Sequence, residues 1–312
     1  MRDHSDDDRT ASLMTPAKLA QLQVRPAAAA SPAAWLDQMA ADAGSGHVRR
    51  LADLRQQLEA QLRDREVRAI SGACHGLHDA LDDLDFALLE PKGWLARATG
   101  KGKEAVASYL ARQATVVRAA EDLGDEARAL QRKQQSQGPA TDRLLMEFEV
   151  EIRALEKIME QGARWLQDMR SQLKTRQAQG GDAAAQEQMR QDTARCELLV
   201  DRLKLLRTAN SAAQEAAERC KSAVTRRAAL AETLQKMLEK DWKALRPKLE
   251  ALAEQATAGG SAGGGLDRAR AAAHELRSAL KQAGQDCAAL QAREQAASDV
   301  LAALEAPLQA AA

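Results

Sequence analysis

Leu145, Phe148, Ile152, Leu155, Met159, Gly162, Leu166, Met169 and Leu173 follow one another at steps that alternate between three and four residues. That spacing puts all of them on one face of an α-helix. A helix with so long an apolar stripe must lie against another helix to cover it. This requirement constrains the chain more than any other feature. Composition points the same way. The chain has four Trp, one Tyr and two Phe, yet 45% of its 312 residues are apolar. Ala and Leu supply the difference. These are strong helix formers, whereas sheets favour aromatic and β-branched residues. A β-sandwich, a β-barrel and a Rossmann-type sheet are therefore excluded. The expected fold is all-α, an elongated antiparallel bundle of coiled-coil hairpins with long helices.

The punctuation of the chain sets the expected boundaries. Residues 1–30 are acidic, then Pro- and Ala-rich, and read as a disordered leader. Ser31-Pro32 suits a helix start. A short helix through Trp35, Leu36 and Met39 should then end near Gly44-Ser45-Gly46. A second helix is predicted over 48–89, with Val67, Ile70, Cys74, Leu77, Leu81, Leu84 and Leu88 on its stripe, before Pro91-Lys92-Gly93 breaks it. A third helix is predicted over 103–136, stopped by Gly138-Pro139, and a fourth over 142–178. Gly180-Gly181-Asp182 makes the next turn. The fifth helix should run over 183–256, with Asn210 on its seam as a register-setting polar residue and a kink or end at Pro247. The domain expectation is a bundle over 31–257, a Gly-rich linker over 258–265 and a last helix with its tail over 266–312, its stripe interrupted by Glu294.

Forty-five basic and forty-five acidic residues cancel to a formal net charge of zero. A nucleic-acid partner is not expected, because such proteins carry a basic excess or stripe. Cys74, Cys196, Cys220 and Cys287 lie far apart without a CxxC pair, which predicts reduced, buried thiols. No apolar run reaches membrane-spanning length, and the acidic N-terminus is no secretion signal, so the expected address is the cytoplasm or the periphery of the inner membrane.

Candidate chemistry is sparse. Cys74 and His78 share a helix face, with His75 beside them, but a closed zinc site needs about four ligands and no second pair stands nearby. Asp79, Asp82, Asp83 and Asp85 spread around a helix rather than converging as in a calcium loop. Gly93 to Gly102 lacks the spacing of a phosphate loop. No catalytic residue, metal, cofactor or small-molecule substrate is expected, because a slim, Ala-lined bundle offers no water-excluding pocket. The candidate contact site is the basic loop carrying Lys92, Trp94, Arg97, Lys101 and Lys103, suited to an acidic partner or a headgroup layer.

The order of features resembles the TelA-like toxic anion (tellurite) resistance family. The likeness rests on Met14-Thr15-Pro16-Ala17-Lys18-Leu19, and on Leu88-Leu89-Glu90-Pro91-Lys92-Gly93-Trp94-Leu95 with Tyr109-Leu110. It also rests on Leu155-Glu156-Lys157-Ile158-Met159-Glu160-Gln161-Gly162, and on Leu199 to Leu206 followed by Trp242-Lys243. It covers roughly 14–250. The chain departs from the family by a shortened region after Trp242 and by lacking paired asparagines near Ala223-Val224. The resemblance implies a cytoplasmic helical protein tied to stress or toxic oxyanion resistance, with no catalytic site to carry over. The expected function is a non-enzymatic helical scaffold that binds a protein partner or its own copies. The alternatives are a peripheral membrane protein of envelope stress, and a metal- or oxyanion-binding protein using Cys74, His75 and His78, or Lys101 and Lys103 at a helix start.

Overall fold

The computed structural model describes residues 42–63, 67–90, 101–258 and 263–312. Every regular element among them is helical. In chain order these are α1 (Ser45–Arg63), α2 (Arg68–Asp82), a 3-10 turn (Phe86–Leu89), α3 (Lys101–Gln179), α4 (Ala183–Met237), a π turn (Leu238–Trp242), α5 (Lys243–Thr257), α6 (Gly263–Ala303) and α7 (Glu305–Ala311). The protein is an all-α helical bundle. The expected leader and the helix through Trp35, Leu36 and Met39 lie outside the described residues, up to Asp42.

Four expected boundaries need correction, one of them the Gly-rich linker expected over 258–265, since α6 already begins at Gly263. The helix expected over 48–89 is two helices and a 3-10 turn. Asp85 starts that turn, accepting a hydrogen bond from the Ala87 N–H at 2.9 Å. Gly138-Pro139 does not stop a helix, for α3 runs straight through both. Pro in a helix interior costs about 3 kcal/mol. The apolar stripe outweighs that cost, because buried Ala127 and Leu130, half-buried Gln134, and buried Gly138, Thr141, Leu145 and Phe148 follow at steps of three or four across the proline. Pro247 neither ends nor interrupts α5. The local break lies one turn earlier, in the π turn, where the Lys243 N–H donates to the Leu238 carbonyl five residues back.

That π turn has a physical reason. Upstream, the buried positions on α4 are Cys220, Ala223, Arg227, Leu230, Leu234 and Met237. Downstream they are Leu245, Leu249 and Leu252. From Met237 to Leu245 is one residue more than a heptad, and a π turn absorbs one extra residue.

The described residues divide into two compact units: residues 42–45 with Glu156–Arg207, and those within Gly46–Leu155 with Thr208–Ala312. In the first, the end of α3 and the start of α4 form an antiparallel helical hairpin. Gly180, with φ +67°, makes the turn, and Asp182 caps α4 through the Ala185 N–H at 2.9 Å. Leu166, Met169, Cys196 and Leu199 form its core, with Trp165, Leu173, Val200 and Leu203 half-buried around them. At Gly162 a Cβ would sit 3.0 Å from Leu203 Cδ2, so a larger residue there would push that side chain aside by a few tenths of an ångström.

The second unit has one core built from α2, α3, α4, α5 and α6. Leu77, Leu123, Leu234, Leu249 and Leu276 are all fully buried in it. The residues from Leu266 to Leu290 belong to this core. Tyr109 is buried against Phe86, ring centroids 6.3 Å apart. Its hydroxyl has no hydrogen-bond partner among the described residues, and burial raises its pKa to about 12.

The unfolded phenol ionises near pH 10. Because the folded state still holds the proton that the unfolded state releases, stability is unaffected by Tyr109 ionisation below pH 10 and falls as pH rises from 10 to 12. Tyr109→Phe is expected to keep stability at pH 7 unchanged or slightly higher, and to flatten the loss between pH 10 and 12. Urea titrations across that range check both outcomes.

Candidate functional site

The expected contact loop is only partly within the described residues. Lys92, Trp94 and Arg97 lie outside them. Lys101 opens α3, and Lys103 is exposed in its first turn. The structure does not bring Cys74, His75 and His78 together as a ligand set. The Cys74 side chain is fully buried. The exposed His75 pairs through Nδ1 with the Ser71 carbonyl at 2.6 Å. His78 Nδ1 lies 3.4 Å from Asp82 and 3.5 Å from Asp79. Among the described residues, no group of three or more His, Cys, Asp or Glu is placed to hold a metal ion. The four aspartates are spread over separate contacts: Asp79 faces His78, Asp82 pairs with Arg277, the Asp83 backbone carbonyl accepts from Arg112 at 2.6 Å, and Asp85 caps the 3-10 turn.

The buried polar side chains cluster where helices meet. Arg227 on α4 is 3% exposed. Its Nε donates to Glu294 Oε1 on α6 at 2.8 Å, and its Nη2 bonds the same oxygen. Glu294 therefore interrupts the α6 stripe for a reason that sequence reading missed. The available signal was Arg227 itself, standing in three-four register between Ala223 and Leu230. Arg226 pairs with Asp286 alongside, and Arg293 Nη1 donates to Ser222 Oγ at 3.1 Å. These contacts make an ionic seam between antiparallel α4 and α6.

Arg55 on α1 is buried at the end of α6. Its Nη1 donates to the Leu301 carbonyl at 3.4 Å, and its Nη2 lies 3.4 Å from Glu305 on α7. A cation there satisfies a C-terminal carbonyl and opposes the helix dipole. In the first unit, Arg202 Nε and Nη2 donate to the Ala43 carbonyl at 3.1 and 3.0 Å, and Nη2 also reaches Ser45 Oγ at 2.9 Å. Burial lowers the Arg202 pKa from its ordinary value, with nearby Asp42 acting the other way. Asp192 at the hairpin tip accepts from Arg176 at 3.3 Å and from Gln188 and Arg195 at 3.2 Å. Asn210 is buried as its seam position predicts, and its Oδ1 has no partner among the described residues.

Against these paired interiors stand a few large apolar side chains left in water. Leu198 and Leu205 on α4 are 61% and 40% exposed, one heptad apart on the face that carries Arg202. Met146 and Val150 on α3 are 61% and 60% exposed, one turn apart. A groove of about 390 Å³ in the first unit is lined mainly by Met159, Ala163, Leu166, Val200 and Leu203. Such surfaces can take an apolar helix face, and no described group beside them is arranged for bond chemistry. No helix among the described residues is long and apolar enough to cross a membrane.

No family model, curated protein or solved structure matches this chain.

Removing one member of a buried ion pair costs more than removing both, because the survivor keeps its desolvation penalty. Glu294→Ala is expected to lower unfolding free energy by ~3–5 kcal/mol. The double change Arg227→Leu with Glu294→Leu should restore most of that loss. Urea midpoints of the two variants give the comparison, and equal losses would show that Arg227 and Glu294 are not coupled.

Proposed function

We propose that this protein is a non-enzymatic helical scaffold that presents helix faces to a protein partner or to further copies of itself. The observation that carries the reading is the pair of solvent-exposed apolar faces, Leu198 with Leu205 and Met146 with Val150, on helices whose interior charges are paired with one another. Scattered exposed leucines are ordinary on protein surfaces. Two on one face at a heptad spacing suit a partner helix. The family resemblance supplies the biological setting, stress or resistance to toxic oxyanions such as tellurite. In this reading the loop from Lys92 to Lys103 is a second contact surface, for an acidic patch on the partner.

The test is the mass of the native species together with what co-purifies in stoichiometric amount. The wild-type chain should run as a self-associated species or with one partner in fixed ratio. Leu198→Ser with Leu205→Ser should reduce that association at least tenfold and leave helicity by circular dichroism unchanged. A wild-type chain that is monomeric and partnerless over the whole concentration range would sink the scaffold reading.

A further inference from the structure

Four free cysteines are buried in this protein, and two of them meet. Cys74 on α2 is 0% exposed and Cys287 on α6 is 1% exposed, both within the core of the second unit. They stand at the same level of the antiparallel pair, in the register set by Asp82 with Arg277 and by His75 beside Gly284, and each thiol perturbs the other's ionisation. The two helices approach closely at this level. His75, next to Cys74, would lie only 3.6 Å from a Cβ added at Gly284, one turn from Cys287. Ala80 of α2 and Ala269, Ala273, Ala283 and Ala297 of α6 are the buried alanines of these two helices. Ion pairs hold the register on one side, with Asp82 to Arg277 and Glu90 to Arg270 continuing the same antiparallel order.

We propose that Cys74 and Cys287 are a redox modification site, in which a peroxide-class oxidant converts the thiol pair into a disulfide that bolts α6 to α2. The Cys287 thiolate attacks one peroxide oxygen. The O–O bond breaks, hydroxide leaves and is protonated to water, and Cys287 becomes a sulfenic acid. Cys74 then gives up its proton as its sulfur attacks Cys287 Sγ. The S–O bond breaks, a second water leaves and the disulfide forms. The two sulfurs together lose two electrons, and the peroxide gains them. The two ionisations fit this order, for the neighbouring Cys74 thiol lowers the Cys287 pKa, while Cys287 and burial raise that of Cys74.

Both sulfurs are shielded from solvent, so the reaction waits on local opening. The element placed to open is α2. It has 15 residues, and its N-cap residue Val67 makes no side-chain capping bond. Oxidation then records that α2 has lifted and closed again under oxidant. The product is a cross-link between distant parts of the sequence, which constrains the unfolded chain strongly.

The experiment uses the full-length protein treated with hydrogen peroxide, natively and in urea below the unfolding midpoint. Remaining thiols are alkylated and the protein is digested without reductant. The expected product is a linked pair of peptides containing Cys74 and Cys287, with Cys196 and Cys220 alkylated. The melting temperature should rise in the native protein and fall back with dithiothreitol. Cys74→Ser and Cys287→Ser should each abolish the linked peptide. Alkylation of all four cysteines under both conditions would overturn the proposal. So would linkage through Cys196 or Cys220, or sulfinic acid at one cysteine without a linked peptide.

Discussion

The second unit depends on α6 lying where its apolar stripe can be covered by α2 and α5. Leu266, Leu276, Leu280 and Leu290 of α6 share one core with Leu77 and Leu81 of α2 and with Leu245, Leu249 and Leu252 of α5. Each stripe alone would leave leucines in water, at roughly 25 cal/mol for every Å² exposed. Because several buried positions on α6 are alanines, the area gained per residue is modest, and the gain comes from length and close approach. The charged contacts then act as alignment pins. Arg227 with Glu294 and Arg55 with the end of α6 fix how far α6 can slide along its neighbours.

Most of the architecture was legible in the sequence because it is written in one repeated spacing. The stripe from Leu145 to Leu173 and the turn at Gly180 both follow from three-four periodicity and from Gly chemistry. The errors arise where local chemistry and packing disagree. Pro139 has every local property of a stop, yet buried residues on both sides keep one face in phase, and packing prevails. The stripe through Val67 to Leu84 ran on past Asp82, although the helix does not, because a 3-10 turn carries Leu84, Phe86 and Leu89 into the same core.

The candidate sites were less legible for a different reason. Spacing along a chain tells which residues share a helix face, but not which face of another helix meets it. Cys74 invited comparison with His75 and His78, its neighbours in sequence, whereas its structural neighbour is Cys287. Glu294 looked like a flaw in a stripe until Arg227 was placed opposite it. The exposed Leu198 and Leu205 carry no signal in sequence at all, since buried and solvent-facing leucines are spelled alike. The loop from Lys92 to Arg97 lies outside the described residues, so its reading rests on composition alone.

The π turn at Leu238–Trp242 has a consequence for how this chain can vary. In an unbroken helix, adding or deleting one residue rotates everything beyond it by about 100° and carries an entire stripe out of contact. A turn that holds one extra residue separates the phase of α4 from that of α5. The two segments can therefore drift in sequence as independent pieces. Length changes near residues 238–242 should be tolerated better than the same changes made beside Leu230 or Leu249.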